Sequence, residues 1–227
     1  MVDCGFGLKH TLSRLADNHC SIHDVSAILV THEHHDHISG VSSLSRRYNI
    51  PVYTTRGTAR SGKLHQDLDV QWINLDKVFR VGDISINPVA VPHDANEPCQ
   101  FVFTANDKSL GVMTDLGSIS PHVHAAFAQC DALLLEANHD LDMLWAGSYP
   151  PSLKQRVSSD WGHLSNDQAE QFLQAIDVDK LSTLVLGHMS QQNNCLDIMK
   201  KHFSVFESTI NQLVYATQDE GFAWLSV

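Results

Sequence analysis

The stretch Thr31-His32-Glu33-His34-His35-Asp36-His37 decides the reading of this chain. It carries the pattern His-x-His-x-Asp-His through His32, His34, Asp36 and His37. Upstream, Ala27-Ile28-Leu29-Val30 is a short apolar, β-branched run that reads as a buried strand. Downstream, Ile38-Ser39-Gly40-Val41 leads into a helical pattern. The polar cluster is therefore expected on a loop at the C-terminal end of a strand, where rigid elements hold it. In extended backbone, residues two apart point the same way, so His32 and His34 can share one metal. Asp36 and His37 follow as the chain turns towards a helix and can face a second metal. Imidazole with carboxylate suits zinc, with manganese or iron as alternatives. A merely solvated loop would not need four ligand-type side chains in six residues after a buried strand.

Working outward, strands are expected over 50–54, 70–74, 78–81, 84–91, 101–104, 110–113, 132–136, 181–186 and 212–216, with a further one over 222–225. Helices are expected over 8–16, 41–48, 55–64, 121–127, 166–176 and 192–202. Val2-Asp3-Cys4-Gly5-Phe6-Gly7 reads as a strand end running into a glycine turn. The runs 101–104 and 110–113 read as a hairpin around Asn106-Asp107-Lys108. Alternating strands and helices with central hairpins imply an α/β sandwich, sheets packed face to face with helices outside, built as one domain over 1–227.

Composition bounds the function. Apolar content of 43% and charged content of 18% are globular values, and no apolar run approaches membrane-spanning length. The N-terminal residues show no basic region followed by an apolar one, so a cytoplasmic protein without a membrane partner is expected. Five scattered cysteines without a C-x-x-C pair read as thiols rather than a disulfide framework or zinc ribbon. The formal net charge of −11 argues against non-specific nucleic-acid binding over the whole surface, though not against a local basic rim. Arg46, Arg47, Arg56, Arg60 and Lys63 follow the His-rich stretch, and Lys154 and Arg156 precede Gly162-His163. They could track a phosphate backbone or simply be solvated helix surface.

His32, His93, Asp115, His139 and His188 each lie just past an apolar strand, where ligand sites of α/β folds gather. One such residue would mean little; five following one rule mark a site. On these residues the chain resembles the metallo-β-lactamase fold of dinuclear hydrolases. Val-Asp-Cys-Gly at 2–5, Pro-His-Asp-Ala at 92–95, Thr-Asp-Leu-Gly at 114–117, Leu-Glu-Ala-Asn-His-Asp at 135–140, Gly-His-Leu-Ser-Asn at 162–166 and Gly-His-Met-Ser-Gln-Gln-Asn-Asn at 187–194 narrow the resemblance. They are similar to the YycJ (WalJ) branch, related to RNase Z and the cyclic phosphodiesterase of phosphonate metabolism.

The resemblance implies two divalent metals. His32, His34 and His93 would hold one, Asp36, His37 and His188 the other, and Asp115 would bridge them. Asp36 would also accept the nucleophile's proton, and His163 would act near the scissile phosphate without binding metal. Glu136 would support one histidine from behind. Ser190, Asn193 and Asn194 would orient substrate or the helix that frames it, and His139 is read as structural or as supporting a ligand from behind rather than as a ligand itself.

Two departures from the branch stand out. Position 35 is His where relatives often carry a small polar residue, and the usual N-terminal Ser-Gly-Ser-x-Gly-Asn segment has no counterpart before Asp3. The second implies missing first strands and an open sheet edge that could pair with another chain, giving an oligomer.

The function implied is phosphodiester hydrolysis, foremost as a DNA or RNA exonuclease. Hydrolysis of a small cyclic phosphodiester, lactone or thioester is the alternative, and a non-catalytic binding or regulatory module is the third reading.

Overall fold

The computed structural model describes residues 1–75, 77–218 and 221–227. It divides into two compact units, Met1–Ala90 with Ala95–Cys99, and Val91–Asp94 with Gln100–Val227. Among the described residues no helix is long and apolar enough to cross a membrane.

The first unit opens with α1 (Leu8–Asp17). Its Leu8, Leu12 and Leu15 recur at helical spacing and pack on a core that includes Cys4, Ile28, Val30, Ile38, Leu44 and Val52. β1 (Ile28–Leu29) is followed by a one-turn helix α2 (His35–Ile38) and by α3 (Val41–Tyr48). α3 stops at Asn49, whose φ of 54° is a left-handed cap conformation that asparagine tolerates. Then come β2 (Val52–Thr54), α4 (Arg56–Arg60) and β3 (Val70–Trp72). β1, β2 and β3 pair in parallel in that order. β4 (Phe79–Val81) and β5 (Ile84–Ala90) form an antiparallel hairpin.

The edge of β1 expected to be open is lined by residues 1–3. Val2 bridges Leu29 in parallel, Leu29 N donates to the Met1 carbonyl at 2.9 Å, and Asp3 N donates to the Leu29 carbonyl at 2.8 Å.

β6 (Cys99–Ala105), which enters the second unit from Gln100, and β7 (Lys108–Met113) make an antiparallel hairpin. Asn106 and Asp107 turn it with φ of 50° and 61°, the paired positive values of a two-residue I′ turn. The chain continues through α5 (Pro121–Phe127), β8 (Ala132–Glu136), α6 (Leu141–Ala146), α7 (Pro151–Val157), α8 (Asn166–Ala175), β9 (Thr183–Gly187), α9 (Leu196–Phe203) and β10 (Gln212–Tyr215). β10, β9, β8 and β7 lie side by side in parallel, each joined to the next by helical crossovers. β9 is buried along its whole length, which explains its unbroken apolar run. The registers Met113↔Leu135 and Glu136↔Gly187 align the carboxyl ends of β7, β8 and β9. Asp115, Glu136 and His188 therefore emerge together.

Several elements differ from the sequence expectation, among them these. The helix expected over 55–64 ends at Arg60. Residues 222–225 form no strand, and Phe222 and Trp224 remain exposed. The helix expected from 192 starts at Leu196, because residues 190–195 are folded into a turn by Ser190 and Asn194.

Candidate metal centre

In the first unit the His-rich stretch straddles the end of β1 and the start of α2. His34 is the extended residue capping α2, so Asp36 and His37 sit on the first turn of a helix rather than on a loop. The ring of His32 lies 4.5 Å from that of His34 and 4.1 Å from that of His37. Asp36 Oδ2 is 3.5 Å from His37 Nε2, and its side chain is 73% exposed.

Asp3 organises this cluster. Its carboxylate accepts from Thr31 N, Thr31 Oγ1 and His37 Nδ1, each at 2.8 Å. Thr31 Oγ1 gives its only proton to Asp3, so it accepts from His32 Nδ1 at 2.9 Å. Both imidazoles are thereby fixed with Nδ1 protonated and Nε2 presenting its lone pair, the arrangement a metal ligand requires. The Cys4 amide donates to the His37 carbonyl, and Gly40 N donates to Cys4 O, both at 2.8 Å. Gly5 must lack a side chain, since a Cβ there would lie 1.7 Å from the Asp36 carbonyl oxygen. The sequence reading gave Asp3 no role; the spacing of Asp-Cys-Gly within the resemblance was the available signal.

Several first-unit basic residues, open in the sequence to either phosphate contact or plain solvation, are engaged with the protein. Lys63 Nζ donates to the Glu33 carbonyl at 2.6 Å, Arg46 pairs with Asp67 at 3.2 Å, and Arg56 lies over the Trp72 ring at 4.8 Å. Glu33 itself is buried and accepts from Asn96 N and Nδ2 at 2.9 and 2.6 Å.

In the second unit the same logic recurs. His93 is buried and donates from Nδ1 to the Gly162 carbonyl at 3.0 Å, and burial lowers its pKa. Asp115 Oδ1 lies 3.5 Å from His188 Nε2 and 4.0 Å from His93 Nε2. Glu136 is fully buried and supports two histidines rather than one. Its Oε1 accepts from His188 Nδ1 at 2.6 Å and from His163 Nδ1 at 2.8 Å, and its Oε2 accepts from Leu116 N and Leu164 N, both at 3.2 Å. Burial alone would raise the Glu136 carboxyl; the two imidazoles hold it below the usual carboxylate range. His163 in turn is held more readily protonated than usual, the adjacent Glu136 outweighing burial. Ligand atoms of Asp115, His163 and His188 all lie within 4.8 Å of one another, so His163 joins a cluster from which the resemblance set it apart.

Asp3, Asp115 and His188 have positive φ, 52°, 54° and 56°, a conformation non-glycine residues hold only where the surroundings enforce it. At His188 the enforcement is visible. Asn138 Nδ2 donates to its carbonyl at 2.8 Å, and Ser190 N donates to the Asn138 carbonyl at 2.8 Å.

Of the three residues expected to orient substrate or a framing helix, Asn194 serves the fold. Both protons of its Nδ2 go to Ala137 O and Asn166 Oδ1, and its Oδ1 accepts from Asn166 Nδ2 and Cys195 N, which leaves no amide proton for a ligand. Ser190 Oγ accepts from Asn193 N and Nδ2 at 3.2 and 3.3 Å. His139 is wholly buried, neither ring nitrogen has a hydrogen-bond partner among the described residues, and burial lowers its pKa to about 4. The cysteines form no disulfide among the described residues.

Residues 1–189 match the beta-lactamase superfamily domain. The chain belongs to that superfamily. It is 34% identical over 209 residues to the exodeoxyribonuclease YycJ of Bacillus anthracis, covering 90% of this chain and 79% of that protein. It is 36% identical over 224 residues to the exodeoxyribonuclease WalJ of Streptococcus pneumoniae serotype 2, covering 95% and 80%. The fold is shared with the metallo-β-lactamase fold protein YhfI of Bacillus subtilis, with a TM-score of 0.69 at 20% identity over 98% of this chain and 85% of that one. The protein is therefore a hydrolase of the metallo-β-lactamase superfamily, in the YycJ and WalJ branch.

Proposed function

We propose that this superfamily member is a dinuclear-metal phosphodiesterase acting on nucleic acid, an exonuclease of the YycJ and WalJ type. The structural observation that supports the metal centre in this reading is the tautomer pattern. His32, His37, His93 and His188 each have Nδ1 engaged by an acceptor, on Thr31, Asp3, Gly162 and Glu136 respectively, so Nε2 would be the ligand atom in every case. A donor set of neutral imidazoles with Asp36 and Asp115 fits zinc, and also manganese or iron. His32, His34 and His93 would hold one ion, Asp36, His37 and His188 the other, with Asp115 shared. When bound, two such ions supply Lewis acidity to the phosphoryl group and activate water.

The chain's own residues do the rest. Asp36, exposed at the start of α2, accepts the proton of the attacking water. His163, oriented through Nδ1 by Glu136, presents its opposite edge to the leaving oxygen and protonates it. The net charge of −11 keeps a second reading in play, a small cyclic phosphodiester as substrate.

The test pairs metal analysis with turnover. The purified protein is assayed for bound metal, then for zinc- or manganese-dependent hydrolysis of bis(p-nitrophenyl) phosphate and of end-labelled DNA. Progressive shortening of DNA supports the nuclease. Cleavage of the small diester alone shifts the reading to a small substrate, and absence of metal and turnover refutes it.

A further inference from the structure

The segment that joins α6 to His163 presents an aromatic ring to solvent two residues before His163. Trp161 is 60% exposed, although indoles bury a large apolar area when they can. Among the described residues no ring or cation covers it, in contrast to Trp72, which lies under Arg56. Its backbone is nevertheless clamped. Trp161 N donates to Ser159 Oγ at 3.3 Å, Gly162 N to Ser159 O at 2.9 Å, and His163 N to Val157 O at 2.9 Å. Ser118 Oγ donates to the Asp160 carbonyl at 3.1 Å. Gly162 packs so closely that a Cβ would lie 2.2 Å from the Val157 carbonyl oxygen. A fixed backbone carrying an exposed indole is a preformed platform, with little ordering cost on binding.

Its position names the occupant. Trp161 precedes Gly162, whose carbonyl orients His93, and stands two residues before His163, which approaches Asp115 to 4.0 Å. A phosphodiester seated at these residues brings its attached sugar and base to the same edge. On the same segment, the Arg156 guanidinium is exposed and pairs through Nε with Asp94, the residue after His93. The segment thus carries an exposed aromatic face close in sequence to the reactive residues, the kind of surface on which an unpaired base stacks.

We propose that Trp161 is the stacking platform for an unpaired terminal base of the nucleic-acid strand. The inference rests on the phosphodiesterase reading above and adds the part of the substrate that is gripped. Trp161 acts in binding and specificity; it does not take part in bond cleavage.

The experiment compares single-stranded oligonucleotides that end in normal nucleotides with ones whose two terminal nucleotides are abasic. First-product release gives KM and kcat, and titration with phosphorothioate-capped versions gives Kd without turnover. Wild type is expected to prefer base-bearing ends in KM and Kd by about 5- to 100-fold, the range one base–aromatic stack supplies. Trp161→Ala is expected to lose that preference, its KM and Kd for base-bearing ends rising to those for abasic ends. Trp161→Phe is expected to retain most of it, and Trp72→Ala all of it. An undiminished preference in Trp161→Ala, or none in wild type, overturns the platform while leaving the phosphodiesterase intact. Failure of wild type to cleave any phosphodiester overturns both.

Discussion

Asp3 is the residue that orients the candidate ligands of the first unit, although it is not proposed to touch metal. It fixes His37 directly and His32 through Thr31, and its own φ of 52° is held by the contact of its amide with the Leu29 carbonyl. Carboxylates that orient metal-bound imidazoles this way typically govern metal affinity by 10- to 100-fold. Asp3→Ala is therefore expected to weaken zinc binding by roughly that factor. Competition titration against a chromophoric chelator measures it, and unchanged affinity would remove Asp3 from the centre. The sequence displays the candidate ligands plainly, because His-x-His-x-Asp-His after a strand is local chemistry. The partners that set their tautomers are far less legible. Asp3 meets His37 across 34 positions, and Glu136 meets His188 across 52, so their pairing exists only in the folded chain.

At the scale of elements, α2 is held in place by the turn that precedes α1. Cys4 bonds the His37 carbonyl, and Gly5 lets the backbone approach the Asp36 carbonyl where no Cβ fits. Gly5→Ala is expected to displace α2, lowering metal affinity and stability together by at least about 2 kcal/mol, as overpacked close contacts do. Gly7 offers the contrast. Nothing lies within 4 Å of a Cβ there and its φ is −64°, so Gly7→Ala is expected to change stability by no more than about 0.5 kcal/mol. Urea unfolding of the two variants decides, and equal effects would sink the argument. Elements with a strong apolar period are legible in the sequence, as α3, α5 and β8 show by matching their expected bounds. α6 and α7 were not, because each is short and α7 buries no side chain among the described residues. Their signals were chemical rather than periodic: Asp140 caps α6 by accepting from Met143 N, and Pro151 starts α7 at its first position. The cost of missing them was the segment that carries Trp161.

At the scale of the whole molecule, charge constrains how a nucleic acid could be held. Twenty-six acidic against fifteen basic side chains give the chain a net charge of −11. Many of the cations named as candidates for phosphate contact already have protein partners: Arg46 with Asp67, Arg56 with Trp72, Lys63 with Glu33, Lys154 with the Trp145 carbonyl and Arg156 with Asp94. Each protein cation that neutralises a phosphate releases counterions and steepens the salt dependence of binding. A protein that grips a strand by its reactive centre and one stacked base neutralises few phosphates through its side chains. The logarithm of the binding constant is accordingly expected to fall with the logarithm of salt concentration with a slope no steeper than about −3, far shallower than a broad basic surface gives. Anisotropy of a labelled, phosphorothioate-capped oligonucleotide between low and physiological salt measures the slope. Binding is also expected to weaken when metal is removed by a chelator, since ions at the centre would be the largest local positive charges. A slope of about −6 or steeper, unchanged by chelation, would require an extended basic track and would contradict capture by the end of the strand.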